Sequence, residues 1–290
     1  MCDTHLLLAS AAAPVVELVL ANLQSSAPAP SVDPSYPSSH LFPNDLLIIY
    51  DFITSEEETD MISQVHADSQ FGALGKRQSL HFGPHFDYTT FAVSASAQTP
   101  PPPYLTRLLD RLPFQGARDV PDQFTVQYYP PGTGIPPHVD THSAFEEVLY
   151  SLSFGAAVPM TFRRCGTRES RRMRLPKRSL GETEAAPLPA GREEEETEGE
   201  VEEWDLVLPP RSLLVMRGAS RWGYTHGIKQ RKFDQEGYKV VPRKDRYSVT
   251  MRKVKPVEDV GCGCPYPEVC DWRIRIERAA MAVDGEAGRA

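Results

Sequence analysis

A chain of 290 residues with 40% apolar and 24% charged residues has material for one large domain or two small ones, each with a core. Its net charge of −8 argues against wholesale, non-specific binding to nucleic acid, but leaves room for a local basic surface, because footprints are set by patches rather than totals. Five cysteines are too few for a disulfide scaffold and an odd number does not pair off, which favours a reducing compartment.

The first apolar run, Leu6 to Leu20, is interrupted by Pro14 and Glu17 and preceded by no lysine or arginine. It suits neither a secretory signal nor a membrane span, so no membrane is expected and a cytoplasmic or nuclear location is the default. Proline is enriched, with 27 residues, many of them in 28–43 and 100–103. Residues 1–40 end in a Ser/Pro/Ala stretch with little to build a core from and read as a disordered leader.

Order is expected from Asp45, with Leu46–Tyr50 as a buried strand. Thr54 and Glu57 form a capping box ahead of Met61, Ile62 and Val65, which predicts a helix. Residues 104–112 repeat the helical spacing through Leu105, Leu108, Leu109 and Leu112. From Gln123 the pattern changes to short β-runs at 123–129, 147–154, 159–163, 204–208, 212–217, 221–226 and 246–252. Short strands with Pro/Gly turns predict a mainly β chain with flanking helices, folded as a β-sandwich or jelly roll.

Residues 164–203 interrupt that pattern. A basic block from Arg163 to Arg178 is followed by an acidic one from Glu193 to Glu203, with almost no large apolar residues. Such a segment reads as a solvated insertion between two strands; the alternative is a basic arm that touches RNA phosphates.

His138-Val-Asp140 places an imidazole and a carboxylate on alternate residues, on one face if the segment is a strand. With the distant His226 they make a 2-His-1-carboxylate triad, which leaves three positions of an octahedral iron(II) open for a bidentate oxo-acid and O2. His226 could instead be a satisfied core histidine. Arg246, Ser248, Thr250 and Arg252 share one face of a strand. Turned into a barrel, the two arginines need anions, and the planar guanidinium fork suits a carboxylate; the alternative is a solvent-facing edge. Cys262, Cys264 and Cys270 form C-x-C-x5-C on a Gly/Pro-rich tail, three thiolates of a tetrahedral zinc that lacks one ligand, or else three free thiols.

The stretch from Asp122 to Lys255 resembles the AlkB family of iron(II)/2-oxoglutarate oxygenases. Its nearest branch is the oxygenase domain of the eighth animal homologue, which hydroxylates a modified wobble uridine in tRNA. The residues carrying the resemblance are the run from Gly134 to Phe145, Ser151–Gly155, Arg211–Met216, Thr225–Ile228 with Arg231–Asp234, and Arg252–Val254. His81-Phe-Gly83 and the Phe86 and Tyr88 pair add a match in the segment that the family uses as a lid over its substrate.

The resemblance implies a double-stranded β-helix with an N-terminal nucleotide-recognition lid, divided as leader 1–40, extension and lid 41–121, jelly roll 122–275 and a disordered tail 276–290. Within the jelly roll it places the insertion 164–203 and a zinc tail 256–275. It assigns His138, Asp140 and His226 to iron, and Tyr129, Arg246 and Arg252, with Gln127 and Ser248 beside them, to 2-oxoglutarate. The cysteines become a zinc site, with His142 the candidate fourth ligand because it follows Asp140 by two residues. Arg77, His81 and Tyr88 are candidates for contacting the substrate, or else ordinary packing and surface charge. O2 and 2-oxoglutarate would be consumed and succinate and CO2 released while an RNA, expected to be a tRNA anticodon loop, is hydroxylated. The animal relative also carries an RNA-recognition and a methyltransferase domain, for which 290 residues have no room, so a separate tRNA methyltransferase is an expected partner. Oxidative demethylation of nucleic acid or protein is the alternative activity, and a non-catalytic RNA-interaction module the third reading.

Overall fold

Along Arg246–Val254 apolar and polar residues alternate, and the two faces of this strand divide the molecule. Tyr247, Val249 and Met251 point to one side, where they join a buried cluster with Phe124, Val126 and Tyr128 from the neighbouring strand and with Met61 and Val65 of a helix. Arg246, Ser248, Thr250 and Arg252 point to the other side.

The computed structural model describes residues 31–33, 36–86, 93–165, 202–236, 238–256 and 261–277. Its strands are β1 (Ser31–Asp33), β2 (Tyr36–Phe42), β3 (Leu46–Ile49), β4 (Gln78–Phe86), β5 (Val93–Thr99), β6 (Gln123–Tyr129), β7 (Ile135–His138) and β8 (Phe145–Phe154). They continue with β9 (Val158–Arg164), β10 (Glu203–Leu208), β11 (Ser212–Met216), β12 (Tyr224–Ile228), β13 (Phe233–Glu236), β14 (Lys239–Pro242) and β15 (Arg246–Val254). A nine-stranded sheet runs β1-β2-β3-β11-β8-β15-β6-β4-β5, a four-stranded sheet runs β10-β9-β12-β7, and β13-β14 form a separate hairpin. All the pairings are antiparallel, and the arrangement is the expected jelly roll.

Two cores follow from the two faces of the larger sheet. Helix α1 (Ser55–Ala67) begins with the expected capping box: Glu57 N–H donates to Thr54 Oγ1 at 3.2 Å, and Thr54 N–H donates to Glu57 Oε2 at 2.9 Å. Its buried Met61 and Val65 cover the outer face. A second cluster joins the sheets to each other: Leu149, Leu214 and Met216 of the larger meet Met160, Phe162, Trp204 and Leu206 of the smaller. The space between the sheets is therefore apolar toward β11 and β10, and polar toward β15 and β6.

Several boundaries differ from expectation. The expected leader, 1–40, overlaps β1 and β2; Ser39 and Phe42 are buried, and β2 is laddered to β3 from Ser39↔Ile49 to Phe42↔Leu46. Pairing with a buried neighbour outweighs the weak local propensity of Tyr-Pro-Ser-Ser-His. The helix expected over 104–112 is only α2 (Pro103–Thr106) followed by a 3-10 turn, Leu109–Arg111. The strand expected at 221–226 is instead helix α3 (Gly218–Trp222) followed by β12. Most of the charged insertion and the tail beyond 277 lie outside the described residues, as does the segment before 31. The expected lid around His81 is β4, laddered to β6 as a continuation of the larger sheet.

Candidate functional site

β7 ends at His138, which sits directly opposite His226 of β12, and the two rings lie 4.4 Å apart. The backbone leaves the ladder there, so Asp140 is not the next inward residue of a strand, as the alternate spacing had suggested; it stands in an irregular segment. Its Oδ2 still lies 3.7 Å from His226 Nε2, and the ligand atoms of His138, Asp140 and His226 all fall within 4.8 Å of one another. His138 Nδ1 is 2.9 Å from the Pro136 carbonyl, which can only accept. The proton therefore belongs on Nδ1, and Nε2 keeps a lone pair.

The charges in this cluster are fixed by burial and by neighbours. Burial pushes His226 down to about 3, aided by His138, so it is a neutral lone-pair donor at ordinary pH. Burial alone would raise the Asp140 carboxyl. The Arg252 guanidinium, with His138, His226 and Arg221, outweighs that and holds it well below the usual carboxylate range. Arg252 reaches Asp140 Oδ1 through Nη2 at 2.8 Å and Nε at 3.1 Å, while its Nη1 lies 3.2 Å from Gln123 Oε1 and 3.3 Å from Thr125 Oγ1. One carboxylate oxygen is thus held by arginine and the other faces the histidines.

The backbone of this segment is gripped as firmly as its side chain. Arg221, 2% exposed, donates from Nη1 to the Asp140 carbonyl at 2.7 Å and from Nη2 to the Thr141 carbonyl at 2.9 Å. Burial lowers the Arg221 guanidinium to about 10, still charged at neutral pH. Lys255 Nζ donates to the His142 carbonyl at 2.9 Å. The buried Asp271 carboxylate accepts the N–H groups of His142, at 2.8 Å, and Ser143, at 3.1 Å, and also the Ser143 hydroxyl.

At the far end of β15, Arg246 is buried, opposite Tyr129 of β6. Its Nε lies 3.0 Å from Ser153 Oγ, its guanidinium 5.1 Å from the Tyr129 ring centre, and its Nη1 has no hydrogen-bond partner among the described residues. Burial, with Arg243 nearby, lowers it to about 10. A buried, cationic and incompletely paired guanidinium lining a cavity with Tyr129, Thr133, Ile228 and Arg243 is fitted to an anion. Gln127 accepts a hydrogen bond from the Tyr129 hydroxyl, and Ser248 is buried in the ladder between Gln127 and Ser153. Of the expected substrate contacts, exposed Arg77 lies 5.1 Å from the centre of the Tyr129 ring, and His81 Nδ1 lies 3.3 Å from Thr125 Oγ1. Tyr88 lies outside the described residues.

A second cluster stands behind the first. The ligand atoms of His142, Cys262, Cys264 and Cys270 also lie within 4.8 Å of one another, with His142 Nδ1 3.3 Å from Cys264 Sγ. His142 is fully buried, and its Nε2 has no hydrogen-bond partner among the described residues. Hydrogen bonds from Cys264 and Cys270 push the Cys262 thiol down, and that sulfur in turn pushes Cys264 and Cys270 up. Thiols grouped this closely suit a cation, which binds them as thiolates. The tail is also seated by shape, since a Cβ at Gly223 would come within 2.3 Å of the Tyr266 ring.

Sequence reasoning did not single out Arg221, Lys255 or Asp271. The signal for Arg221 was a lone arginine inside an otherwise apolar run, which is unusual unless the charge is paired.

Residues 45–252 match the model of the 2OG-Fe(II) oxygenase superfamily. The Xenopus tropicalis protein named tRNA (carboxymethyluridine(34)-5-O)-methyltransferase alkbh8 is 33% identical over 268 residues, covering 85% of this chain and 37% of that relative. The Arabidopsis thaliana protein named Alkylated DNA repair protein ALKBH8 homolog is 33% identical over 234 residues, covering 78% of this chain and 62% of the relative. This chain thus spans less than two thirds of the length of either relative. Among solved structures, that of OsALKBH1 is similar at a TM-score of 0.44 and 16% identity, over 72% of this chain and 96% of that one.

Arg221→Met should leave the Asp140 and Thr141 carbonyls buried and unpaired, a loss of at least about 2 kcal/mol of stability. Urea unfolding of the two proteins measures it. Equal midpoints and slopes would show that the guanidinium holds nothing in place.

Proposed function

Because this chain belongs to the 2OG-Fe(II) oxygenase superfamily, as an AlkB-type dioxygenase, we propose that it hydroxylates a modified wobble uridine in a tRNA anticodon loop. Iron(II) and 2-oxoglutarate are the cofactor and cosubstrate of the superfamily; the bound iron supplies the centre at which 2-oxoglutarate and O2 react, with succinate and CO2 released. The observation that carries the chemistry is the convergence of His138, Asp140 and His226, two imidazoles and one carboxylate, with their ligand atoms within 4.8 Å of one another.

These three side chains would hold the iron. His226 and His138 would do so through neutral nitrogens, and Asp140 through Oδ2 while Arg252 keeps Oδ1. Arg246 would pair with the distal carboxylate of 2-oxoglutarate, through the Nη1 that has no hydrogen-bond partner among the described residues. Tyr129 lines that end, with its hydroxyl donated to Gln127 and exposed Arg77 over its ring. The base must reach the site unstacked, which an anticodon loop provides without opening a duplex.

Support for the uridine comes from the Xenopus relative, whose name specifies carboxymethyluridine at tRNA position 34. The methyl transfer in that name belongs to a protein of which this chain spans 37%, so a methyltransferase acting on the same base would be a further partner. A cytoplasmic or nuclear location fits such a substrate. The name of the Arabidopsis relative, an alkylated DNA repair protein, favours oxidative demethylation as the second reading.

The Cys262, Cys264, Cys270 and His142 cluster would hold zinc with tetrahedral N/S coordination, closing a structural rather than a catalytic site. Elemental analysis of the purified protein should find about one zinc per chain, lost with a lower melting temperature in Cys264→Ser. Full occupancy in His142→Ala would remove His142 from the site, and no zinc after metal-replete expression would remove the site.

For the reaction, carboxymethyl-modified tRNA should gain one oxygen on its wobble nucleoside when treated with the protein, Fe(II), 2-oxoglutarate and O2. Nucleoside mass spectrometry measures this, and Asp140→Ala should abolish it. Release of formaldehyde from methylated nucleic acid would favour the second reading. An unchanged nucleoside alongside brisk succinate formation would exclude the uridine.

A further inference from the structure

The hairpin β13-β14 forms a separate two-stranded sheet, and one of its faces is exposed. In its register Phe233 is opposite Pro242 and Gln235 is opposite Val240, so these four side chains share one face. All four are exposed, Phe233 at 55% and Val240 at 70%, and Tyr238 at the tip is fully exposed. The inward face is pinned. Asp234 is buried and accepts from Arg243 Nε at 2.6 Å and from Arg231 Nε at 2.6 Å. Arg243 also donates to the Lys229 carbonyl at 2.8 Å. The outward orientation of Phe233 and Val240 is therefore fixed by the ion pairs beneath them.

The hairpin is locally basic. Residues 229–244 hold six lysines and arginines against two acids, in a protein whose net charge is −8. Arg231 and Arg243 pair with Asp234, whereas Lys232, Lys239 and Lys244 are exposed; Lys239, opposite Glu236, belongs to the Asp234 side, so these ammonium groups border the apolar face from its edges. Exposed aromatics between lysines form the pattern that takes unpaired nucleic acid: bases stack on the rings while ammonium groups follow the phosphates. An acidic protein partner would match the lysines, but gains nothing particular from a flat aromatic at an exposed tip.

The hairpin also stands at the right place. Its C-terminal base, Arg243 and Lys244, lines the same cavity as Arg246 and Tyr129, and it leaves β12 five residues after Ile228, which lines that cavity too.

We propose that the outward face of β13-β14, through Phe233, Tyr238 and the flanking Lys232 and Lys239, is a docking surface for single-stranded RNA. It holds nucleotides that flank the reacting one. The RNA class rests on the function proposed above; the location of the contact rests on the hairpin alone.

Anisotropy titration of a labelled anticodon stem-loop RNA into the full chain tests it. Phe233→Ala and Tyr238→Ala should each weaken binding by about tenfold or more, the loss expected for one stacked base. Lys232→Glu combined with Lys239→Glu should also flatten the plot of log affinity against log salt by roughly one to two units. Tyr238, wholly exposed, cannot lose packing on truncation, so its variant separates docking from misfolding. Tight binding by the parent with unchanged affinity and salt slope in all three variants overturns the hairpin assignment and leaves the RNA reading standing. A parent that neither binds nor modifies RNA overturns both.

Discussion

Four residues without regular secondary structure, Asp140 to Ser143, are the point on which the rest of the site depends. A strand would satisfy their backbone groups by its own ladder. Here the partners of the backbone come from three separate places in the chain, because buried amide groups without partners are costly. Arg221 takes two carbonyls, Lys255 a third, Asp271 two N–H groups, and Arg252 the Asp140 side chain. The result presents Asp140 to one ligand cluster and His142 to the other, with only Thr141 between them.

The same physics explains why the polar face of β15 and β6 can be buried at all. Arg252 is neutralised by Asp140 at 2.8 Å, so that charge is compensated within the protein. Arg246 has no carboxylate partner among the described residues: Ser153, Tyr129 and Arg243 stand around it, and burial has already lowered its pKa. The two arginines are thus unequal, although they occupy equivalent positions on one strand face. One is part of the scaffold that orients the metal-side carboxylate, and the other is the cation left for a bound anion.

Much of this was legible in the sequence where chemistry is compressed into short spacing. His138-x-Asp140, the Arg246–Arg252 alternation, the Thr54/Glu57 cap and the C-x-C-x5-C tail each bring residue types together within one element or one turn. What escaped was whatever depends on distant partners. Arg221 lies in a run whose apolar residues imitate a strand, yet Trp222 packs beside His142 and the arginine itself turns to Asp140, in a short helix. β2 carries Pro, Ser and His, and is a strand because β3 offers it a ladder. The resemblance assigns Arg252 to 2-oxoglutarate; what only the fold shows is that its guanidinium also engages Asp140.

Asp140, held through one oxygen by Arg252, would offer the other to an iron that 2-oxoglutarate also chelates. The visible charge-transfer absorption of an iron(II)–2-oxo-acid chelate, followed during anaerobic titration of the parent and of Asp140→Asn, tests it most directly. The account predicts an absorption in the parent that saturates at a single equivalent of iron and is absent or far weaker in Asp140→Asn, which keeps the side-chain shape without its charge. The same absorption at the same iron concentration in both proteins would contradict it.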